Sequence, residues 1–333
     1  LGTKMNIKVE RLQAAIAGEL ADRPPVALWR HFPVDDQDPL LLAQATISYQ
    51  KTYDFDFVKV TPASSFCIKD YGVQDVWCGN PEGTRDYIHH VVQSISDWSN
   101  IGVLDPESGS LGKQLECLAH LQDNFGTETP YIQTIFNPLS QGKNLAGANQ
   151  MLVHLRKNPK AVLEAFERIT ETTITFIELA RKRGIAGIFY AIQFGTYEYF
   201  TSEDYARFGE PFDRRILEAA DSLWLNVLHL HGENLIFDLA ETYPVQVVNW
   251  HDRETKPNLA EGKSRLSAAV CGGLRRWDTM VLGDADVVRE EAIDAMRSLD
   301  GGRGMVLGTG CVVPVLAPHG NFMAARQVVD AIA

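Results

Sequence analysis

Apolar residues recur at helical spacing through residues 6–21, where Ile7, Val9, Leu12, Ala15, Ile16 and Leu20 mark one face. Pro24-Pro25 ends that run and opens a short apolar one, Val26-Ala27-Leu28-Trp29, which reads as a first strand. The same rhythm then repeats. Pro39 to Tyr53 is helical and Phe57 to Thr61 a second strand. Residues 63–110 form an excursion too long for a bare loop, so short helices or a hairpin are expected inside it. After a helix over 111–124, strands are expected at 131–136, 185–192, 222–230, 245–250, 266–271 and 305–307. The helices between and after them fall at 159–183, 202–220, 234–241, 258–263, 284–298 and 320–332. Eight strands alternating with helices imply parallel pairing with helical crossovers. The expected fold is α/β, a single (β/α)8 TIM barrel over residues 5–333 with an elaborated second βα loop. Leu1 to Lys4 read as an expression scar ahead of Met5.

Composition narrows the function classes. Hydrophobic residues make up 45% of the 333, enough for a large core and against long disorder. No apolar run reaches the ~18 to 20 residues of a membrane span, and no basic segment precedes an apolar one as in a secretory signal. The 43 acidic residues outnumber the 31 basic ones, a net charge of −12 that argues against a nucleic-acid partner. Five cysteines, Cys67, Cys78, Cys117, Cys271 and Cys311, have irregular spacing and no CxxC, so free thiols in a reducing cytoplasm are expected. Neither a dinucleotide fingerprint nor a P-loop is present; Arg30-His31-Phe32-Pro33 follows the first strand instead.

In a barrel of this kind the chemistry lies at the C-terminal ends of the strands. The sharpest pattern there is Leu228-His229-Leu230-His231-Gly232. Residues two apart on a strand share a face, so both imidazoles point the same way. They either chelate one metal ion or hydrogen-bond within a polar barrel mouth. Cys311, flanked by glycines in Gly308-Thr309-Gly310-Cys311, is a third candidate ligand or a small packed residue. His251 lies one strand from the pair and joins His229, His231 and Cys311 as a candidate catalytic residue; the expected metal set is His229, His231 and Cys311. Arg30 suits a substrate carboxylate or phosphate, or an ion pair with Asp252. His31, Asn137, Gln193, Tyr197 and Asn249 complete the candidate substrate contacts. Cys67 and Cys78 are expected to be buried. Asp35, Asp36 and Asp38 read as a solvated loop or helix cap, and His89-His90 as a surface pair in a helical stretch.

These residues resemble a known family. Arg23-Pro24-Pro25-Val26-Ala27-Leu28-Trp29-Arg30 is similar to the opening signature of the uroporphyrinogen decarboxylase superfamily, and Gly302 to Pro314 (GRGMVLGTGCVVP) to its closing strand. The span from Leu228 to Asp252 has the family's spacing. The resemblance implies a (β/α)8 barrel. In the decarboxylase branch, Arg30 matches the first of two substrate-binding arginines. Val34 stands in place of the second, and Thr61-Pro62 where an aspartate is expected. The expected tyrosine, serine and histidine fall near Ile135, Gln193 and Thr309. The other branch holds zinc-dependent methyltransferases that move methyl groups between corrinoid proteins and thiols such as coenzyme M. Its metal motif matches His229, Gly232 and Cys311, with His231 in place of a cysteine, which lowers the negative charge of the site. The resemblance therefore implies a zinc-dependent methyltransferase with a methyl-corrinoid donor, the alternatives being a tetrapyrrole carboxy-lyase or a non-catalytic corrinoid or tetrapyrrole binder. Expected partners are an anionic small molecule, a corrinoid protein and a second copy of the chain, with no membrane.

Overall fold

Seven strands form one curled parallel sheet in a computed structural model that describes residues 6–331. Numbered along the chain, they are β1 (Val58–Val60), β4 (Tyr131–Phe136), β5 (Gly187–Ile192), β6 (Val227–Leu230), β7 (Val247–Trp250), β8 (Ala269–Leu274) and β9 (Met305–Thr309). Each pairs in parallel with the next. The remaining two, β2 (Gln74–Val76) and β3 (Asp86–His89), make an antiparallel hairpin inside the excursion after β1. Every residue of β4, β5, β6, β7, β8 and β9 is buried, as parallel strands covered by helices on the outside require. The expected scar at Leu1 to Lys4 and the start at Met5 lie outside the described residues. Among the described residues no helix is long and apolar enough to cross a membrane.

The expected first strand is a correction. Residues 26–29 make a single isolated bridge, Val26 to Leu307. Pro24 and Pro25 carry no N–H, so a ladder cannot begin before Val26. The Val26 amide is taken by the Asp56 carboxylate at 2.8 Å. What remains is a seam: Leu307 N donates to Pro25 O (2.8 Å), Ala27 N to Leu307 O (3.0 Å), Asp56 N to Val26 O (2.9 Å) and Val313 N to Trp29 O (2.8 Å). The segment thus lies between β9 and the chain entering β1. Arg23 braces it, gripping Asp56 at 2.8 Å in a buried ion pair.

The helix Pro39–Tyr53 has the expected bounds because Asp38 caps it and Pro39 opens it. The expected helix over 202–220 breaks at Gly209 into Ser202–Phe208 and Glu210–Ala219. A Cβ at Gly209 would stand 2.7 Å from the Tyr205 ring. Two helices, Pro138–Ala146 and Ala148–Lys157, fill the stretch after β4 that showed no periodicity. His89 lies on β3 and is exposed, not on a helix; the half-buried His90 reaches Asn144 O with its Nδ1 at 2.8 Å.

Candidate metal centre

His229 is the penultimate residue of β6, His251 follows β7 and Cys311 follows β9. Their placement beside one another follows from the register. His229 sits opposite Asn249 in the β6–β7 pair, and strand alternation carries His231 to the same face. Gly310 lets the end of β9 close in: a Cβ there would stand 2.6 Å from His251 Cα and 2.7 Å from Trp250 O. One ligand atom from each of His229, His231, His251 and Cys311 lies within 4.8 Å of the others. Cys311 Sγ is 3.7 Å from His231 Nδ1.

Hydrogen bonding fixes which atoms face the centre. Asn249 Nδ2 donates to Cys271 O (2.8 Å) and Thr309 O (3.0 Å), which locks its amide orientation. Its Oδ1 therefore accepts, at 2.7 Å, from His229 Nδ1–H. That tautomer leaves a lone pair on His229 Nε2, which is buried and has no partner. His251 repeats the arrangement: Nδ1–H donates to Glu254 Oε2 at 3.1 Å, and the buried Nε2 has no partner. Two Nε2 atoms, one Nδ1 and one sulfur thus converge.

The charges follow. Burial pushes the Cys311 thiol up, but His229, His231 and His251 beside it outweigh burial and bring it well below the usual 9.0. Burial holds the His229 pKa below the ordinary value. Burial lowers His251 too, yet Cys311 and Glu254 together raise it to about 9. The His251 contact and the Arg276 fork hold Glu254 at about 2. The donor set fits a zinc-type ion. Bond lengths of about 2.3 Å to sulfur and 2.0 Å to nitrogen separate tetrahedral ligands by about 3.5 Å, close to the Cys311–His231 spacing. The orphaned buried Nε2 lone pair of His229 is otherwise costly to leave unmet.

Some of the sequence-selected residues come here and others do not. His31 is buried, with burial and the neighbouring Lys59 driving its pKa down to about 3 while Cys311 opposes. Asn249 orients His229. Arg30 does not join the cluster. Trp29 packs edge-on against Phe189, which stacks on His229, so alternation turns Arg30 to the opposite side, over the Phe32 ring at 5.4 Å. Nor does it pair with Asp252, whose Oδ2 accepts from Gly273 N at 3.1 Å. Asn137 is spent elsewhere: it caps Pro138–Ala146 and donates to Tyr205 OH (3.2 Å) and Asp213 Oδ1 (3.1 Å). Gln193 accepts from Lys143 Nζ at 2.9 Å, and Tyr197 is exposed with its hydroxyl 3.1 Å from Ser202 Oγ. Cys67 is half-buried as a packed thiol, but Cys78 is exposed, because it follows β2 in the connection of a hairpin whose strand residues are largely exposed. Asp38 is a helix cap, as expected.

Sequence reasoning missed Lys59. It is a buried lysine on β1, with Nζ 3.1 Å from Thr61 Oγ1 and 4.6 Å from the centre of the Phe189 ring. Burial lowers its pKa to about 7, against the pull of Cys311. A lone charge between Val58 and Val60 was the available signal. Glu254, three residues after His251, was another.

The profile of the family described as Uroporphyrinogen decarboxylase (URO-D) matches residues 8–332. The methylcobamide:CoM methyltransferase MtbA of Methanosarcina acetivorans is 23% identical over 240 residues, which are 71% of this chain and 68% of that protein. The MtbA of Methanosarcina mazei is 22% identical over the same shares. Among solved structures, a methyltransferase from Methanosarcina mazei aligns with a TM-score of 0.85 at 18% identity, over 98% of this chain and 99% of that one. A B12-independent methionine synthase from Shewanella sp. W3-18-1, in complex with selenomethionine, aligns with a TM-score of 0.61 at 12% identity over 93% of each chain. At these identities the structural likeness is one of fold.

Proposed function

The chain belongs to the uroporphyrinogen decarboxylase (URO-D) family, and we propose that within it the protein is a zinc-dependent methyltransferase acting on a thiol, with a methyl-corrinoid protein as donor. The observation that carries this reading is the convergence of three imidazoles and the Cys311 thiol at one point, with the His229 Nε2 lone pair aimed inward by Asn249 and the His251 ring oriented by Glu254. His229, His231 and Cys311 would hold the ion, with His251 in reach as a fourth donor. Bound there, zinc supplies Lewis acidity that favours the thiolate form of a substrate thiol. The two methyltransferase relatives named for methylcobamide and CoM support the donor and acceptor classes.

The chain's own residues do the rest. Asn249 keeps the Nδ1 proton of His229 in place, so the imidazole stays a donor of its Nε2 lone pair. Cys311 contributes the one anionic ligand. Lys59 gives the mouth a cation for an anionic substrate, a role that Arg30 is turned away from serving and that Arg276, held between Glu82 and Glu254, does not fill. Lys59 is suited to it because the Cys311 thiolate is the opposite charge acting on it. Tetrapyrrole decarboxylation is disfavoured by the same residues: Thr61-Pro62 offers no carboxylate to pyrrole N–H groups, and Lys59 presents donors instead. Residues 25–29 would serve as the eighth staves of a closed barrel, the seam hydrogen bonds supporting that reading.

Metal analysis and methyl transfer from methylcobalamin to coenzyme M test the proposal. About one zinc per chain is expected in the wild type and in Cys67→Ala, and a small fraction of that in Cys311→Ala. A metal-free wild type after zinc-supplemented expression, with carbon dioxide released from uroporphyrinogen, would hand the site to decarboxylation.

A further inference from the structure

The β2–β3 hairpin folds back over the mouth and reaches the cluster through a line of charges. Residues 77–85 join its strands. Asn80 organises the tip, accepting from Glu82 N through Oδ1 (2.8 Å) and from Gly83 N through its carbonyl (2.9 Å). Pro81 O accepts from Val315 N at 2.7 Å. Gly83, at φ +79°, lies so flat on His31 that a Cβ there would stand 2.4 Å from the histidine's own. Glu82 Oε1 accepts from Arg276 Nη1 at 2.9 Å and from Trp277 Nε1 at 3.1 Å. The buried Arg276 turns its other edge to Glu254, with Nε at 3.4 Å and Nη2 at 3.2 Å. Glu254 in turn accepts from His251.

We propose that Glu82 is a positioning residue for His251: by clamping Arg276 it fixes the Glu254 carboxylate, so that seating of the hairpin and orientation of the His251 imidazole are one coupled state. The guanidinium is a rigid planar fork on a flexible stem. Two carboxylates hold it from two edges, and that double grip sets its plane. With Glu82 gone, Nη1 loses its acceptor in a buried place and the fork turns toward new ones. Glu254 then loses its bidentate partner, and the His251 ring loses the acceptor that fixes its tautomer. The path runs both ways, because coupling between two sites is reciprocal. Loosening His251 or Glu254 must loosen the hairpin.

Two readouts test this on the full chain. The first is hydrogen–deuterium exchange of the metal-free protein, which needs no assumption about the metal. Glu254→Gln should speed exchange across residues 74–89, although Glu254 lies outside the hairpin. The second rests on the metal reading: retention of cobalt(II) against a chelator, followed by its visible absorption. Glu82→Gln should weaken retention about three- to tenfold and shift the spectrum, less than the 10- to 100-fold typical of a group bonded directly to a ligand. Trp277→Phe removes the other donor to Glu82 but leaves Arg276 clamped, so its cobalt affinity and spectrum should match wild type. Wild-type cobalt affinity in Glu82→Gln, or equal losses in Glu82→Gln and Trp277→Phe, would overturn the proposal. A wild type that takes up no cobalt counts against the metal centre alone, and unchanged hairpin exchange in Glu254→Gln would then overturn the coupling.

Discussion

The Asn249 carboxamide holds His229 through a 2.7 Å hydrogen bond while its own NH2 group is pinned by the carbonyls of Cys271 and Thr309. One side chain therefore ties β7 to β8 and to the end of β9, and sets the tautomer of a candidate ligand. Asn249→Ala should lower zinc affinity by about 10- to 100-fold in a chelator competition. It should also cost about 1–3 kcal/mol in denaturant unfolding, from the carbonyls left unpaired.

Cys311 should behave as a thiolate in the metal-free protein. Its depressed pKa keeps it ionised below the ordinary thiol range, so its alkylation by iodoacetamide should fall less steeply with falling pH than that of an ordinary thiol. An ordinary thiol loses about tenfold in rate per pH unit below its pKa. The exposed Cys78, whose pKa is raised by its contact with Asp86, is the internal control. His251→Ala should restore a steep profile to Cys311. A steep wild-type profile would contradict the charge assignment.

Lys59 sets a pH dependence of stability with a definite sign. Its folded pKa falls from 10.5 to about 7, so between those values the unfolded chain holds a proton that the native state lacks. Stability from this group therefore rises with pH from about 7 to 10.5, and the full cost of the buried charge is borne below about pH 7. Lys59→Met should raise Tm by roughly 3 °C or more at about pH 6. The gain should shrink toward zero near pH 10. Calorimetry at three pH values reads this directly.

The Asp213 carboxylate is a structural anchor. It accepts from Tyr190 OH (2.6 Å), Tyr205 OH (2.6 Å), Tyr243 OH (2.9 Å) and Asn137 Nδ2 (3.1 Å), wholly buried. Asp213→Leu strands four buried donors and should cost about 3–5 kcal/mol in urea unfolding. Zinc content per folded chain should be unchanged, since no residue of this network faces the cluster.

What the sequence shows and hides has physical reasons. β4 and the helix Pro39–Tyr53 have the bounds that their apolar runs and caps suggest, since each is bracketed by proline or a capping aspartate. Helix Pro138–Ala146 escapes pattern reading because it buries Ser140, Gln141, Gly142 and Asn144 along with its leucines, so no polar face marks its period. The first strand misleads because Asp56, thirty residues away, takes its first amide. In the site, the shared face of His229 and His231 follows from parity alone. The same parity argument, applied to Trp29 and His31, separates His31 from Arg30. The Glu82–Arg276 contact spans 194 residues and leaves no local trace.

The seam at residues 25–29 imposes an order on biosynthesis. Val26 finds its bridge at Leu307, and Trp29 O accepts from Val313 N, partners made long after the segment itself. The apolar segment must therefore wait until Leu307 has been made, held meanwhile by Asp56 and the chain entering β1. Until Leu307 leaves the ribosome the sheet keeps an open edge, the kind of template on which nascent chains pair wrongly. Cys311 emerges later still. Ribosome-bound chains that stop short of Leu307 carry the open strand edge, and those that stop short of Cys311 lack the thiol of the proposed site.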